Sequence, residues 1–442
     1  MSAFHGLLHS TPGGAEKADQ QTATCRAWIV AHALGEPAEV WLWRQVTGLR
    51  RVRPLVVCWA YKNRDVYPVD EDAVTIVPFA SRPTEGRRRW LHRLRGLPRM
   101  NFYGSVGREF KHLVDLAAHH RPQVMLCHFG SAALRLLPVA EKLGIPLVAH
   151  FHGQDVSSSL RNRWYRWSII PALSRFAAVV VVGSHQRQWM LRHGVPEERV
   201  HLIPCGVPTE QFRPAGAQRT DGVVQFVAVS RLVAWKGVDY TLRAFAAVHA
   251  AVPQARLAIV GDGPDRRALE GLARELQVAP AVRFTGVLAP EQVRKELAAA
   301  DVFVQHSLTY TSGWCEGFGV SIAEAAAMGL PLVVTRSGGI PDQVIHGETG
   351  FLCPERDVEA MAEAMRMLAC DSALRKEMGA AARRRVVEHF DAAGQIHKLE
   401  QVLLTTAGGG RVRPWSVRSA VWNGRPVGRG ETAVEYHSKC KS

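Results

Sequence analysis

Short β-branched runs alternate with helix-forming stretches along this chain, and they do so in two successive series. That alternation is its strongest constraint, because a strand followed by a helix and another strand builds parallel sheet with crossover helices. In the first series strands are expected at Cys25–His32, Val52–Cys58, Val74–Pro78, Val124–Cys127, Pro146–His150, Ala178–Val182 and Val200–Pro204. Helices are expected at Val40–Leu49, Val106–His119, Ala132–Leu143 and Arg187–His193. The second series has strands at Val223–Ser230, Arg256–Val260, Val282–Phe284, Val302–Gln305 and Pro331–Thr335, with helices at Asp357–Cys370 and Ala392–Thr406. Between the series lies Pro208–Asp221, rich in Pro, Gly and polar residues, which reads as a linker. The pattern predicts two Rossmann-like α/β domains, over residues 25–208 and 222–390, with a closing C-terminal helix at 391–406.

The 442 residues and 47% hydrophobic content suffice for two ordinary cores. Residues 1–24 are small and polar and read as a flexible extension. Within them Thr11-Pro12-Gly13-Gly14 imitates the glycine loop that follows a first strand, but nothing before it can form a buried strand. The register that starts at Cys25 places that loop at Ala33–Glu39, with Gly35 as its glycine. The tail from Ala407 is Gly- and Arg-rich and reads as disordered.

No apolar run reaches about eighteen residues, so no membrane-spanning helix is expected. No basic segment followed by an apolar block marks the N-terminus, which points to the cytoplasm. The eight cysteines include no Cys-x-x-Cys pair, and Cys58, Cys127 and Cys370 sit inside apolar runs. They read as reduced packing residues. The formal charge of +15 draws on a cluster at Arg82, Arg87, Arg88, Arg89, Arg93, Arg95 and Arg99, interleaved with Trp90, Leu91, Leu94 and Leu97. Such a stretch suits an anionic membrane surface or a lipid-diphosphate substrate, and equally a solvated basic face. No aromatic-basic recognition module accompanies it, so nucleic acid is not the expected partner.

Chemistry concentrates in Glu316-Gly317-Phe318-Gly319-Val320-Ser321-Ile322-Ala323-Glu324. The Ala-rich stretch after Phe318 reads as a helix stopped by Gly329. Glu324 then lies about a turn inside it and Glu316 in the loop before it. The backbone N–H groups of Gly317–Gly319 sit at the positive helix end, which suits an anion such as a diphosphate. One carboxylate can accept from sugar hydroxyls and the other from a ribose. Upstream, Arg231 and Lys236 place two cations just after a strand, and His152 lies just beyond a strand's carboxyl end, where open α/β sheets place ligands. His150 shares a strand face with His152, and His128 ends the preceding strand.

These motifs occur in the order Val229-Ser230-Arg231-Leu232…Lys236-Gly237, Ile259-Val260-Gly261-Asp262-Gly263-Pro264, Phe284-Thr285-Gly286, Glu316…Glu324, Gly338-Gly339-Ile340-Pro341 and His346-Gly347-Glu348-Thr349-Gly350. Together with His128-Phe129-Gly130 and Phe151-His152-Gly153-Gln154-Asp155, they resemble the retaining glycosyltransferases of family 4, narrowly those that build exopolysaccharide, colanic-acid-type and lipopolysaccharide sugars. The resemblance spans roughly residues 25–405. It implies the GT-B fold, two Rossmann-like domains facing across a cleft, and transfer of a hexose from a nucleoside-diphosphate sugar to a glycan or lipid-linked acceptor. It places Glu316 at the transferred sugar, Glu324 at the ribose, Arg231, Lys236, Gly317, Phe318 and Gly319 at the donor, and His152 near the reacting carbon. Gly35, His128 and Asp155 are candidates for the acceptor side, Asp155 alternatively as a helix cap. No cofactor and no metal are expected. Asp70-Glu71-Asp72 imitates a metal-binding triplet but precedes a strand and reads as a solvated turn. Gly261-Asp262-Gly263-Pro264 lacks the third glycine of a dinucleotide fingerprint. Two other functions stay open, a nucleotide-sugar epimerase on the same fold and a non-catalytic nucleic-acid-binding protein. Base, sugar, acceptor and linkage are not legible.

Overall fold

A computed structural model describes residues 25–79, 100–214, 222–310 and 313–409. The N-terminal extension, the Arg82–Arg99 segment, residues 215–221 and the tail from 410 lie outside the described residues.

The first sheet has seven strands, all parallel: β1 (Cys25–Ala31), β2 (Val52–Cys58), β3 (Val74–Ile76), β4 (Val124–His128), β5 (Leu147–Phe151), β6 (Ala178–Val181) and β7 (Val200–Leu202). Their spatial order is β3-β2-β1-β4-β5-β6-β7. The crossovers are helices α1 (Val40–Gly48), α2 (Gly107–His120), α3 (Gly130–Leu143), α4 (Arg163–Leu173) and α5 (Ser184–Arg192). Strands such as Val-Met-Leu-Cys-His are buried along their whole length, because helices cover both sheet faces.

The second sheet comprises β8 (Val224–Val229), β9 (Ala255–Val260), β10 (Val282–Gly286), β11 (Val302–Gln305), β12 (Leu332–Thr335) and β13 (Gly350–Cys353), in the order β10-β9-β8-β11-β12-β13. Its helices are α6 (Val238–Ala251), α7 (Arg266–Glu275), α8 (Pro290–Ala298), α9 (Val320–Ala327), α10 (Ile340–Gln343), α11 (Val358–Cys370) and α12 (Ser372–His389). In each sheet the strand order reverses beside the first strand, between β1 and β4 and between β8 and β11. Loops leaving the carboxyl ends there are where such sheets bind ligands.

The last helix, α13 (Ala392–Gly408), returns to the first sheet. It packs on α1, β1, β2 and β4. Glu400 on this helix is 3% exposed, and its Oε1 accepts the backbone N–H groups of Arg50 and Arg51, both at 2.6 Å, and of Val52 at 3.3 Å. Those donors lead into β2, so the returning helix caps the strand entrance.

Several expectations need correction. Helices α4, α8, α10 and α12 and strand β13 went unread, and α6 and α7 were given no bounds. For α12 the reason is its composition: Ser-Ala-Leu-Arg-Lys-Glu-Met-Gly-Ala-Ala-Ala-Arg-Arg-Arg carries small and basic residues around much of its circumference, so no apolar stripe stands out. Helix formation persists through Gly408, two residues into the expected disordered tail. Cys370 is exposed, whereas Cys58 and Cys127 are buried as expected. Asp70–Asp72 lie in an exposed turn before β3, in accord with the solvated reading.

Candidate active site

The site is built where the two switch-point loop sets meet. Gly153, just after β5, and Gly317, just before α9, touch through their backbones: a methyl group added at Gly317 would overlap the His152 carbonyl oxygen, and one at Gly339 would overlap the Gly317 carbonyl oxygen. The close approach of three loops admits only glycine at Gly317 and Gly339. It also brings His152 and Glu316, 164 positions apart by their numbers, to the same point.

Glu316 is 8% exposed. Its Oε2 pairs with the Lys236 ammonium and lies 3.4 Å from both Gln305 Nε2 and Ser307 Oγ. Lys236 comes from the turn between β8 and α6, held by the left-handed Gly237. Its ammonium sits 5.7 Å from the Trp314 ring centroid, and Trp314 packs 5.1 Å from Trp235. Arg231 is exposed at the end of β8, its guanidinium 5.8 Å over the Trp235 ring. The Gly261-Asp262-Gly263 turn packs against this loop through the Ser230 and Leu232 carbonyls, which is a supporting role. Glycine is required at Gly261, where φ is +129° and a methyl would overlap the Ser230 carbonyl oxygen.

Glu324 lies one turn into α9, as expected, and is 7% exposed. It meets a residue that sequence reading missed. Arg44 on α1 reaches across from the first sheet to pair Nη2 with Glu324 Oε1 at 2.6 Å. Gly319 caps α9 in the left-handed region at φ +81°. The Phe318 ring is buried in the core 5.5 Å from Phe390, which leaves its backbone, as in the sequence reading, as the part of the residue in the loop before α9.

On the first sheet, strand pairing sets His128 directly beside His150, and His152 follows two residues on. His128 Nδ1 lies 3.1 Å from His152 Nε2. Trp41 of α1 stacks on the His152 ring at 3.9 Å. Burial drives all three imidazoles to the neutral form, and their proximity to one another adds to the effect on His150 and His152: His128 falls to about 3, and His150 and His152 lie well below their ordinary value. Phe129, beside His128, holds a positive φ of 70°, which is costly for a bulky residue and is sustained by the packing around it.

Asp155 is 4% exposed and ties the ends of β4 and β5 together. Its Oδ1 accepts from Gly130 N–H at 2.9 Å and its Oδ2 from His152 N–H at 3.0 Å. Burial pushes its carboxyl up to about 6, against the pull of these hydrogen bonds. It therefore positions the His152 backbone and caps the start of α3. Gly35 is wedged against the Lys62 carbonyl in the left-handed region, φ +78°, a close crossing of the β1 and β2 loops. A few residues on, Glu39 is a carboxyl that sequence reading passed over. Burial raises it to about 7, Glu36 adds to the rise, Arg231 across the cleft opposes it, and Asp155 adds further.

Across the cleft, Ser184 donates through N–H and Oγ to Asp342 of the Gly-Gly-Ile-Pro-Asp segment, at 2.7 and 2.6 Å. Glu39, Trp41 and Arg44 share one signal that could have found them: they sit on the loop and first helix after β1, at the switch point, with Trp41 and Arg44 three residues apart on one helix face.

Two Rossmann-like sheets with cation–carboxylate pairs and a histidine loop at their shared switch-point edge define a glycosyltransferase of the GT-B class. Residues 39–211 match the family model described as Glycosyltransferase Family 4, and residues 210–385 match Glycosyl transferases group 1. A GDP-mannose-dependent alpha-(1-6)-phosphatidylinositol monomannoside mannosyltransferase from Mycolicibacterium smegmatis is 33% identical over 295 residues, 62% of this chain and 75% of that protein. A putative colanic acid biosynthesis glycosyltransferase, WcaL, from Escherichia coli K12 is 28% identical over 291 residues, 63% of this chain and 71% of that protein. Among solved structures, Anabaena HepE in complex with UDP and glucose superposes with a TM-score of 0.68 at 20% identity, covering 86% of this chain and all of that one. The chain belongs to glycosyltransferase family 4. It is a glycosyltransferase, as are the relatives it matches.

Proposed function

We propose that the chain is a retaining hexosyltransferase that takes its sugar from a nucleoside-diphosphate donor and passes it to a glycan or lipid-linked acceptor at the inner face of the cell membrane. The observation that carries this reading is the buried Glu316–Lys236 pair set against the His152 loop through the Gly153–Gly317 contact. Transfer builds negative charge on the leaving β-phosphate. Lys236 and Arg231 supply cations at that place, and such charge-assisted contacts are worth about 1.5–3 kcal/mol each. Their value rises as the charge develops, which is where rate is gained. Glu316 accepts from hydroxyls of the transferred sugar, Glu324 from the ribose, and the backbone of Gly317–Gly319 faces the diphosphate. His152 sits near the reacting carbon, neutral, and so able to hydrogen-bond without repelling a developing cation.

Retention follows a same-face course in which the donor phosphate takes the acceptor proton. Glu39 is the carboxyl of the first domain nearest in role to a nucleophile or base. The Arg231 cation across the cleft acts on it, and burial holds it toward the neutral form, which favours acceptor binding over attack on the sugar. The chemistry needs no metal or cofactor, because the two cations already serve the diphosphate. The Arg82–Arg99 segment supplies the anionic-membrane contact in this reading, and no helix among the described residues is long and apolar enough to cross a membrane.

The test is a panel of UDP-, GDP- and ADP-sugars with chelator present, reading released nucleoside diphosphate with and without acceptor extracts. GDP-mannose heads the panel because the mycobacterial relatives use it by name. Release from one donor, abolished in Glu316→Gln, supports the reading. Product epimerised from donor alone would establish the isomerase instead.

A further inference from the structure

The histidine cluster does more than place His152. Three buried imidazoles carry six ring nitrogens, and only the His128 Nδ1–His152 Nε2 contact joins any two of them. His128 Nε2, both nitrogens of His150 and His152 Nδ1 are buried without a hydrogen-bond partner. Each neutral ring must still carry one N–H. Leaving such a group buried and unpartnered is costly, so a cluster of them calls for a physical reason.

The arrangement has the features of a cation site. One nitrogen from each of His128, His150 and His152 lies within 4.8 Å of the others, the one such group of three metal-binding side chains among the described residues. The 3.1 Å separation of His128 and His152 is close to the edge of a tetrahedron with metal–nitrogen bonds of about 2.0–2.1 Å. The His150 ring lies 4.2 Å from that of His152, which puts its nitrogen in reach of the third corner. All three rings are neutral, the form that binds a metal, and imidazole donors suit zinc, copper and nickel over magnesium or calcium. His128 and His150 are fully buried while His152 is partly exposed, so entry is from the cleft side.

We propose that His128, His150 and His152 form a three-imidazole site for a divalent transition-metal ion, and that its occupation withdraws His152 from the reaction cleft. The site is inhibitory, with Trp41 stacked over it as a cap. Its strength is bounded by what surrounds it. Metal-bound histidines ordinarily pass their other N–H to an acceptor, and here no carboxylate does so, since Asp155 is spent on the backbone of His152 and Gly130. Missing outer partners of that kind weaken metal affinity by about 10–100-fold, which makes binding reversible. The inhibition, though not the binding, rests on the role of His152 proposed above.

The experiment uses the full chain without an affinity tag. Cobalt is titrated in, the visible absorption of four-coordinate cobalt is read, and zinc is then added in competition. One equivalent bound, displaced by zinc and lost in both His150→Phe and His150→Asn, is the expected result. Absorption that is absent, or that survives in both folded variants, overturns the site. Should the variants fail to fold, nitrogen hyperfine splitting in the copper-loaded parent counts the ligands without substitution, and fewer than three imidazoles overturns it. Donor turnover is measured alongside. Zinc should suppress it at least tenfold, with recovery on chelation, while cobalt binding without any loss of turnover removes His152 from the proposed chemistry and keeps the site.

Discussion

Glu316 and Glu324 are eight residues apart in sequence, yet each meets a cation from a different part of the chain. Lys236 answers Glu316 from within the second sheet, and Arg44 answers Glu324 from the first. Removing one partner of a buried pair leaves an uncompensated charge, so these substitutions are severe in different ways. Lys236→Met is expected to slow donor turnover by about 10²–10³ with the fold intact, measured by nucleoside-diphosphate release and far-ultraviolet circular dichroism. Unchanged turnover would show that Lys236 serves only Glu316. Asp155 gives a pH prediction. Its folded pKa, about 6, lies above the ordinary 3.8, so its contribution to stability is present below about pH 4 and lost as pH rises through 6. That shift corresponds to about 3 kcal/mol. The stability gap between the parent and Asp155→Asn should therefore fall from pH 4 to pH 6 in denaturant titrations. A gap that is flat with pH would mean that Asp155 is ionised at no greater cost folded than unfolded.

At the scale of elements, the loops after β5 and before α9 carry the site because glycines let their backbones touch. In Gly317→Ala the new methyl group meets the His152 carbonyl and must push the loops apart. Displacement of about an ångström between reacting groups can lower turnover about 100-fold. The expected outcome is that loss with a melting temperature within a few degrees of the parent, and an unaffected rate would mean that the loops part during each cycle anyway. Helix α9 is short, and its Ala-rich sequence lets it pack closely. All its residues from Ile322 to Ala327 are buried, which holds Glu324 in place from behind.

For the whole molecule, two sheets are joined by the polypeptide crossing before β8 and again by α13. Glu400 is the polar key of the second crossing, accepting three backbone N–H groups that open β2. Glu400→Gln exchanges a charged acceptor for a neutral one and is expected to cost about 2 kcal/mol, read as a lower urea midpoint, whereas Gln401→Ala on the exposed side of the same helix should change little. Equal midpoints for both variants would place the docking energy in the apolar contacts of Ile396, Leu399 and Leu403 alone.

Strand and helix alternation fixed the two parallel sheets in advance, since buried parallel strands are written as continuous apolar runs and their crossovers need helices. Register from Cys25, the positions of Arg231, Lys236, Glu316 and Glu324, and the presence of a C-terminal helix were all legible for the same reason: each depends on local pattern or on a motif contiguous in the chain. Helix α12 escaped because its apolar stripe is weak, and the burial of the Phe318 ring was not legible because a motif does not say which way a ring points. Arg44, Trp41 and Glu39 acquire their meaning only when α1 is laid against α9 and β5. The three histidines were visible as neighbours along two strands, but that they form one cluster, neutral and short of partners, was decided by the strand register His128–His150 and by Trp41 stacking on His152. Sequence determines what each strand and turn can be, because those choices are settled within a few residues. Which distant side chains are deprived of water together is a property of packing, and only the tertiary structure decides it.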